Sequence, residues 1–501
     1  MSRLLPSTFV LLLLLLKPIQ LKADYLWTPN CISAYEAALQ LNFTEAERLI
    51  SIEKNKSAEN LIPVYVESQI DFLKSFIYEQ KDFLDAMKTR NDARIHLFEK
   101  HKGKSPYQRF CIAEMYLQQA IARIKFKEFF GAAYEVRKAY KTLEENNREY
   151  PDFKPNLRGL GLIHAAVGSI PKNYQWLAGM LGLGGTIKQG LNELKILLNT
   201  TYKEKEYYHL RDETIILVTF LELNLGKEKD HSMMRKRFSG VKDLNSKPLM
   251  VFSKALFHVA IAENDSIINL LESRKQVPGQ EQLNYLYYME ANARLNNLDP
   301  AADECFLKYI NKHKGKSYIL SSWQRLGWSK LIRGDKEGYK SCLAKISEMK
   351  KGDDFTDEDK SAMKEAASKE EPNVVLLRAR LLFDGGYYQR ALTEIAGKPM
   401  TQFPRLRDQL ELTYRLARIF DRQEKDDKAI EYYELTLKNG INQTYYFAAN
   451  SSLMLGQIYE ARGDKTKAAA YYKKTLEMRD HEFQNSIDQK AKSGLNRLEI
   501  N

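Results

Sequence analysis

Apolar residues recur along this chain at intervals of three and four. Ile112, Met115, Tyr116, Ala120 and Ile124, with Gln119 among them, mark one face of a helix. Alternation of β-branched and polar residues is scarce, and glycines fall where the helical runs end. The pattern predicts an all-α chain. Most helical runs are too short to bury their apolar stripe alone, so they must pack against one another.

The runs also repeat. In the last unit Leu455-Gly456 precedes Tyr459, Gly463-Asp464, Ala468, Tyr472 and Leu476. The unit before it carries Leu416-Ala417, Phe420, Ala429, Tyr433 and Leu437, and the one before that Ala379, Leu382, Gly386, Ala391 and Ile395. The alanines at 391, 429 and 468 are 38 and 39 residues apart. This spacing resembles the tetratricopeptide repeat, a helical hairpin of about 34 residues, lengthened here in helices or in loops such as Lys438 to Tyr445. The small Ala lets the second helix of a pair approach the first, the Tyr or Phe fills the gap toward the next pair, and the Gly ends the first helix. Weaker copies lie upstream. Trp323, Leu326-Gly327, Gly334-Asp335 and Leu343 mark one, Asn297, Ala302 and Phe306 another, and Ala37, Leu41, Phe43, Ala46 and Leu49 an N-terminal hairpin. The expected fold is therefore an α-α superhelix of tetratricopeptide-like hairpins.

Two stretches interrupt the pattern. Residues 351–371 are charged and poor in large apolar side chains, which predicts a surface linker or a polar helix between an array over 24–350 and C-terminal repeats over 372–501. Residues 155–194 place eight glycines among apolar residues. There Gly159-Leu160-Gly161-Leu162, Pro171, Leu181-Gly182-Leu183-Gly184-Gly185, and Gly190-Leu191 with Leu194 resemble the central signature of the tetratricopeptide repeat protein 39 and inclusion-body-clearance family. The resemblance implies a helix ending at a proline, a short second helix, and a glycine turn into the next helix. Members of that family lack an export signal and work in the cytosol, so an exported, bacterial relative is the expectation here.

The N-terminus changes the picture of where the chain works. Arg3, the leucine run Leu11 to Leu16, and Leu21-Lys22-Ala23 have the build of a secretory signal peptide cleaved after Ala23. Lys17, Pro18 and Lys22 cut the apolar run below the roughly 18 residues a membrane span needs. Cleavage would remove Arg3, Lys17 and Lys22 and take the formal charge from +12 to +9. Basic clusters such as Arg235-Lys236-Arg237 have no nucleic-acid-binding motif beside them, so nucleic acid is not an expected partner. No other segment approaches a membrane span, although association with the cell envelope fits an exported chain. The four cysteines, Cys31, Cys111, Cys305 and Cys342, form no C-x-x-C pair; Cys305 and Cys342 occupy matching places in successive repeats, too far apart for a bridge.

Chemistry is sparse. The glycines fit neither a phosphate loop nor a dinucleotide fingerprint, the eight histidines show no metal spacing, and no cofactor is expected. Ser361 and Lys364 match a serine-lysine spacing without its companion motifs, and Asp353, Asp354, Asp357 and Asp359 lack the glycine and glutamate of a calcium loop. The expectation is a non-enzymatic scaffold for a protein or peptide ligand. The repeat register sets Asn373, Leu376, Arg380 and Phe383, then Glu411, Tyr414, Arg418 and Asp421, then Asn450, Leu453, Gln457 and Glu460 on the concave face. Of these, Asn373, Arg380, Phe383, Tyr414, Arg418, Asn450 and Gln457 are the candidate binding residues, with Arg380, Arg418 and Gln457 as a polar column able to clamp a carboxylate. The alternative is an outer-membrane-associated protein that binds a small nutrient or a lipid on the same hairpins.

Overall fold

The computed structural model describes residues 24–170, 175–226, 231–349, 355–368 and 370–499; the expected signal peptide lies outside them. Among the described residues the regular structure is helical and no strand occurs. The fold class is the expected one, all-α and assembled as an α-α superhelix of tetratricopeptide-like hairpins. The chain forms two compact units. One comprises Met1–Met250 with Lys275–Gln282, the other Val251–Arg274 with Leu283–Asn501.

One backbone turn recurs through both units. Leu41, Lys127, Gly182, Ala262, Leu298, Gly334, Gly386, Glu424 and Gly463 all have φ between 56° and 88°. In each case this left-handed residue donates its N–H to the carbonyl three residues back, and the next residue donates to the carbonyl five back. At the last turn these are Gly463 to Glu460, 3.1 Å, and Asp464 to Tyr459, 2.9 Å. Two carbonyls at the helix end are thus satisfied while the chain reverses. Asn42, Asp335 and Asp464 then accept from the N–H of Glu45, Gly338 and Lys467, capping the second helix. In the second unit the turns at 262, 298, 334, 386, 424 and 463 are 36, 36, 52, 38 and 39 residues apart.

The C-terminal core explains the alanine spacing. Ala391, Ala429 and Ala468 are fully buried where the helices of a pair touch, and Tyr433 and Tyr472 are fully buried between pairs. A Cβ on Gly456 would lie 2.6 Å from the Tyr472 ring, and one on Gly494 2.4 Å from it, so this tyrosine is gripped between two glycines. Replacing Ala429 or Ala468 by Trp should overpack its helix pair and lower stability by about 1–3 kcal/mol. Urea unfolding checks this, and an unchanged midpoint in both variants would refute the register.

The glycine-rich stretch follows the order implied by the family resemblance. Helix Asn156–Ser169 precedes the short helix Gln175–Met180, and the turn at Gly182 leads toward helix Ile187–Lys203; Pro171 lies outside the described residues. A Cβ on Gly190 would meet the Gly161 carbonyl at 2.3 Å and the Ala165 nitrogen at 2.6 Å. Close helix contact, rather than a ligand loop, accounts for this glycine pair.

The charged stretch at 351–371, expected as a surface linker or a polar helix, contains a helix, and the compact units divide elsewhere. Residues 350–354 and 369 are outside the described set, but Asp357–Ala367 is a helix with Phe355 and Ala362 in a hydrophobic cluster with Leu320 and Ile346. Its carboxylates are committed to neighbours. Buried Asp359 accepts from Tyr318 N–H at 2.8 Å and Ser321 N–H at 2.9 Å, capping helix Ile319–Leu331. Glu365 accepts from Trp328 Nε1 at 2.8 Å, Gln324 Nε2 at 2.6 Å and the Tyr339 hydroxyl at 2.9 Å. Composition suggested a solvated segment because a carboxylate that caps a neighbour is indistinguishable in sequence from one that faces water. This helix also occupies the long step between the turns at 334 and 386.

Candidate functional site

The C-terminal repeats bring four of the expected binding residues into one constellation. Tyr414 projects from helix Leu406–Arg422 and is only 1% exposed. Its hydroxyl accepts from Arg418 Nη1 at 2.9 Å and from Asn450 Nδ2 at 2.5 Å. The Arg418 guanidinium lies 5.1 Å from the centroid of the Phe383 ring. Phe383 and Tyr414 therefore support the face from beneath and do not line it, a correction to their expected role as contacts. Leu376 and Leu453 are core residues for the same reason. The Asn373 side chain accepts from the N–H groups of Val375 and Leu376, which makes it a helix cap instead of a ligand contact.

The remaining polar residues differ in how far the protein itself neutralises them. Glu460 is held by both Nε and Nη2 of Arg497 at 2.7 Å, and Asp421 accepts from the Tyr433 hydroxyl at 3.0 Å. Burial alone would raise the Glu411 carboxyl, but Arg415, Arg407 and Arg380 together hold it below the usual range. Arg380 pairs loosely with Asp384 at 3.8 Å and stacks 5.1 Å from the Trp328 ring centroid. Arg418 has no carboxylate at ion-pair distance among the described residues; its partners are one neutral hydroxyl and two aromatic faces. This half-buried guanidinium is oriented by one hydrogen bond and two rings, and it feels the charge of Asp421 without an ion-pair contact among the described residues. The half-buried Gln457 side chain makes no hydrogen bond among the described residues.

The first unit contains a polar core that sequence reasoning missed. Arg158, 1% exposed, donates to Glu114 Oε2 at 2.7 Å and to the Tyr35 hydroxyl at 2.9 Å, and also bonds Glu213 and the Tyr65 hydroxyl. Five helices meet on this side chain: Pro29–Leu39, Ile62–Tyr78, Pro106–Lys125, Asn156–Ser169 and Arg211–Leu225. Burial pushes the Glu114 carboxyl up against the pull of Arg158. His209 packs 4.0 Å from the Trp27 ring centroid, is 3% exposed, and neither ring nitrogen makes a hydrogen bond of good geometry among the described residues. Burial, then repulsion from Arg158, lowers its pKa to about 3 against the opposing Glu206 backbone. The cleft beside it, about 370 Å³, carries charges that cancel within the protein: Asp212 is bonded by Lys247 at 2.5 Å and Arg211 at 3.4 Å.

Of the catalytic and metal candidates, Asp353 and Asp354 lie outside the described residues, and among the described ones no catalytic arrangement forms. Lys364, on an exposed face, pairs with Glu482 at 2.6 Å and is not directed to Ser361. All four cysteines are buried free thiols. Among the described residues no group of three or more His, Cys, Asp or Glu side chains is placed to hold a metal ion, and no helix is long and apolar enough to cross a membrane.

A tetratricopeptide-repeat family model matches residues 412–442 and 451–485. No curated protein matches the chain. Among solved structures, a chain in the crystal structure of the APC/C hetero-tetramer Cut9–Hcn1 is similar over 93% of this chain and 95% of that one, at 10% identity and a TM-score of 0.21. So loose a likeness transfers no activity. The matched residues fall on the hairpins Leu406–Arg422 with Asp426–Gly440 and Tyr446–Ala461 with Lys465–Glu477. Residues 412–442 and 451–485 are therefore tetratricopeptide repeats, and Tyr414 and Arg418 stand on the first of them.

Proposed function

We propose that this protein is an exported, non-catalytic scaffold whose C-terminal repeats hold an acidic segment of a protein partner. The observation that carries the reading is Arg418, fixed by Phe383 and Tyr414 yet without a carboxylate of its own. Arg380, stacked on Trp328, supplies a second cation, and Asn450 and Gln457 supply polar contacts beside it. A guanidinium already stacked and hydrogen-bonded loses little freedom on meeting a carboxylate. The repeat architecture, which serves chiefly as a binding surface, supports non-catalytic action. Export rests on Arg3, the leucine run and Ala23. Kinship to the tetratricopeptide repeat protein 39 and inclusion-body-clearance family, as an exported bacterial relative, rests on the glycine order over 155–194 and the helix order that accompanies it.

The test begins with protein recovered from the envelope fraction, whose first residue should be Asp24. Peptides displayed at random on a surface are selected on it, and enrichment of Asp, Glu or terminal carboxylates is expected. Arg380→Gln with Arg418→Met should then weaken the selected peptides by about 1.5–3 kcal/mol for each charge-assisted bond lost. Methionine keeps the stem packed on Phe383, so helix content should hold. Arg462 and Arg479, already paired with Asp426, Asp427 and Asp488, are the control. Equal weakening on removing that pair would mean nonspecific charge, and a first residue of Met1 would remove export from the reading.

A further inference from the structure

The hairpin of Pro106–Lys125 and Phe129–Glu149 carries an unusual tip. Phe130 is 97% exposed and Phe129 61%. Ile124, one turn before the chain reverses, and Tyr134, one turn after Phe130 on the same face, are exposed too. Lys138 lies 4.6 Å from the Tyr134 ring centroid and 4.9 Å from that of Tyr116, tying the aromatic face to the hydrophobic cluster that includes Tyr116 and Ala178. Ala178 belongs to the short helix Gln175–Met180, which exposes Trp176 and Met180. Two adjacent, nearly bare phenylalanines at a turn oppose the usual sorting of large apolar side chains.

The acids beside the tip are all paired. Those of the hairpin itself are Glu128 and Glu135, and Glu79 and Asp85 of the neighbouring hairpin are held by Lys125 and by Lys81 and Lys88. Glu128 is paired with Lys81, with Arg123 at 2.5 Å and with Lys88 at 3.8 Å, and Glu135 with Arg123 at 2.7 Å. Arg137 and Lys141 are exposed along the middle of the second helix, on the face that carries Phe130 and Tyr134. The acids Glu144, Glu145 and Glu149 lie at the far end of that helix. From 121 to 141 six basic residues face two acids.

From this combination we propose that the tip docks on an anionic lipid surface, with Phe129 and Phe130 entering the headgroup boundary and Arg137 and Lys141 meeting lipid phosphates. A protruding aromatic wedge with basic flanks suits a fluid interface, where long cationic side chains reach the headgroups while apolar groups enter the acyl boundary. The surface lies in the first unit and is independent of Arg418.

The experiment is flotation of the mature protein with vesicles of phosphatidylcholine alone or with one-third phosphatidylglycerol, reading Trp176 by fluorescence. Binding is expected only with phosphatidylglycerol, with a blue shift, and it should fall with added salt. Each of Phe129→Ser and Phe130→Ser should weaken it about tenfold, and each of Arg137→Gln and Lys141→Gln about fivefold. Because these side chains face solvent, melting should stay unchanged. Phe220→Ser, at another exposed phenylalanine, should leave flotation intact. Absence of flotation, or equal loss in the Phe220 variant, would overturn the proposal. So would self-association abolished by Phe129→Ser with Phe130→Ser, which would assign the tip to a protein contact.

Discussion

Arg158→Ala should lower the stability of the first unit by about 3–5 kcal/mol, the expected result of removing one member of a buried ionic network. The loss comes mainly from what is left behind. Glu114 and Glu213 would keep their buried places with their shared cation gone, and the Tyr35 and Tyr65 hydroxyls would lose its N–H donors. Without Arg158 the folded-state pKa of Glu114 should rise further above its unfolded value, so ionisation would oppose folding. The penalty should therefore be small near pH 5, where the carboxyl can hold its proton, and grow as pH rises toward 8. Arg158→Met combined with Glu114→Leu should recover part of the loss, because apolar groups of similar volume need no counterion. Urea titrations at both pH values decide it; a cost below about 1 kcal/mol at pH 8 would mean that water or rearrangement replaces the guanidinium.

His209 should make the protein lose stability on mild acidification. Its pKa is lowered to about 3 in the folded chain, against about 6.5 when unfolded. Above pH 6.5 both states hold a neutral imidazole and the residue contributes no pH dependence. Between pH 6.5 and about 3 the unfolded chain takes up a proton that the folded chain refuses, so stability falls as pH falls, by about 1.4 kcal/mol per unit. From pH 6.5 to 4.5 that amounts to roughly 2–3 kcal/mol. His209→Phe keeps a ring against Trp27 and removes the titration. The difference between wild type and variant, followed by urea unfolding, isolates this residue from carboxylates that titrate in both. Parallel curves for the two proteins across that range would show that the imidazole is protonated while folded.

The C-terminal hairpins were legible because their constraints are local. Ala391, Ala429 and Ala468 have to be small, and Gly386 and Gly463 stand at left-handed turns. Upstream the same turn is taken by Leu41, Lys127, Ala262 and Leu298, so the backbone repeats where the sequence cue has gone. Arg418 could be found by counting along one helix. Its register did not reveal that neighbouring Tyr414 points into the core, because a tyrosine suits either side. Arg158 could not be found that way. Its partners come from positions 35, 65, 114 and 213, and the glycines that follow it read as helix packing. Only the tertiary structure shows that the helices cross at this guanidinium.

The recurring turn bears on how such a chain can lengthen over its history. Five of the nine turns hold a residue other than glycine in the left-handed region, so the reversal is imposed by the packed helices on either side and not by one privileged amino acid. A duplicated hairpin can then drift in nearly every side chain while its length and handedness are inherited. Helix Asp357–Ala367, lodged in the longest step of the second unit, is an extra segment accommodated between hairpins without loss of the turn that follows it. Ancestry in a chain of this kind is recorded in the intervals between reversals long after the residues themselves have diverged.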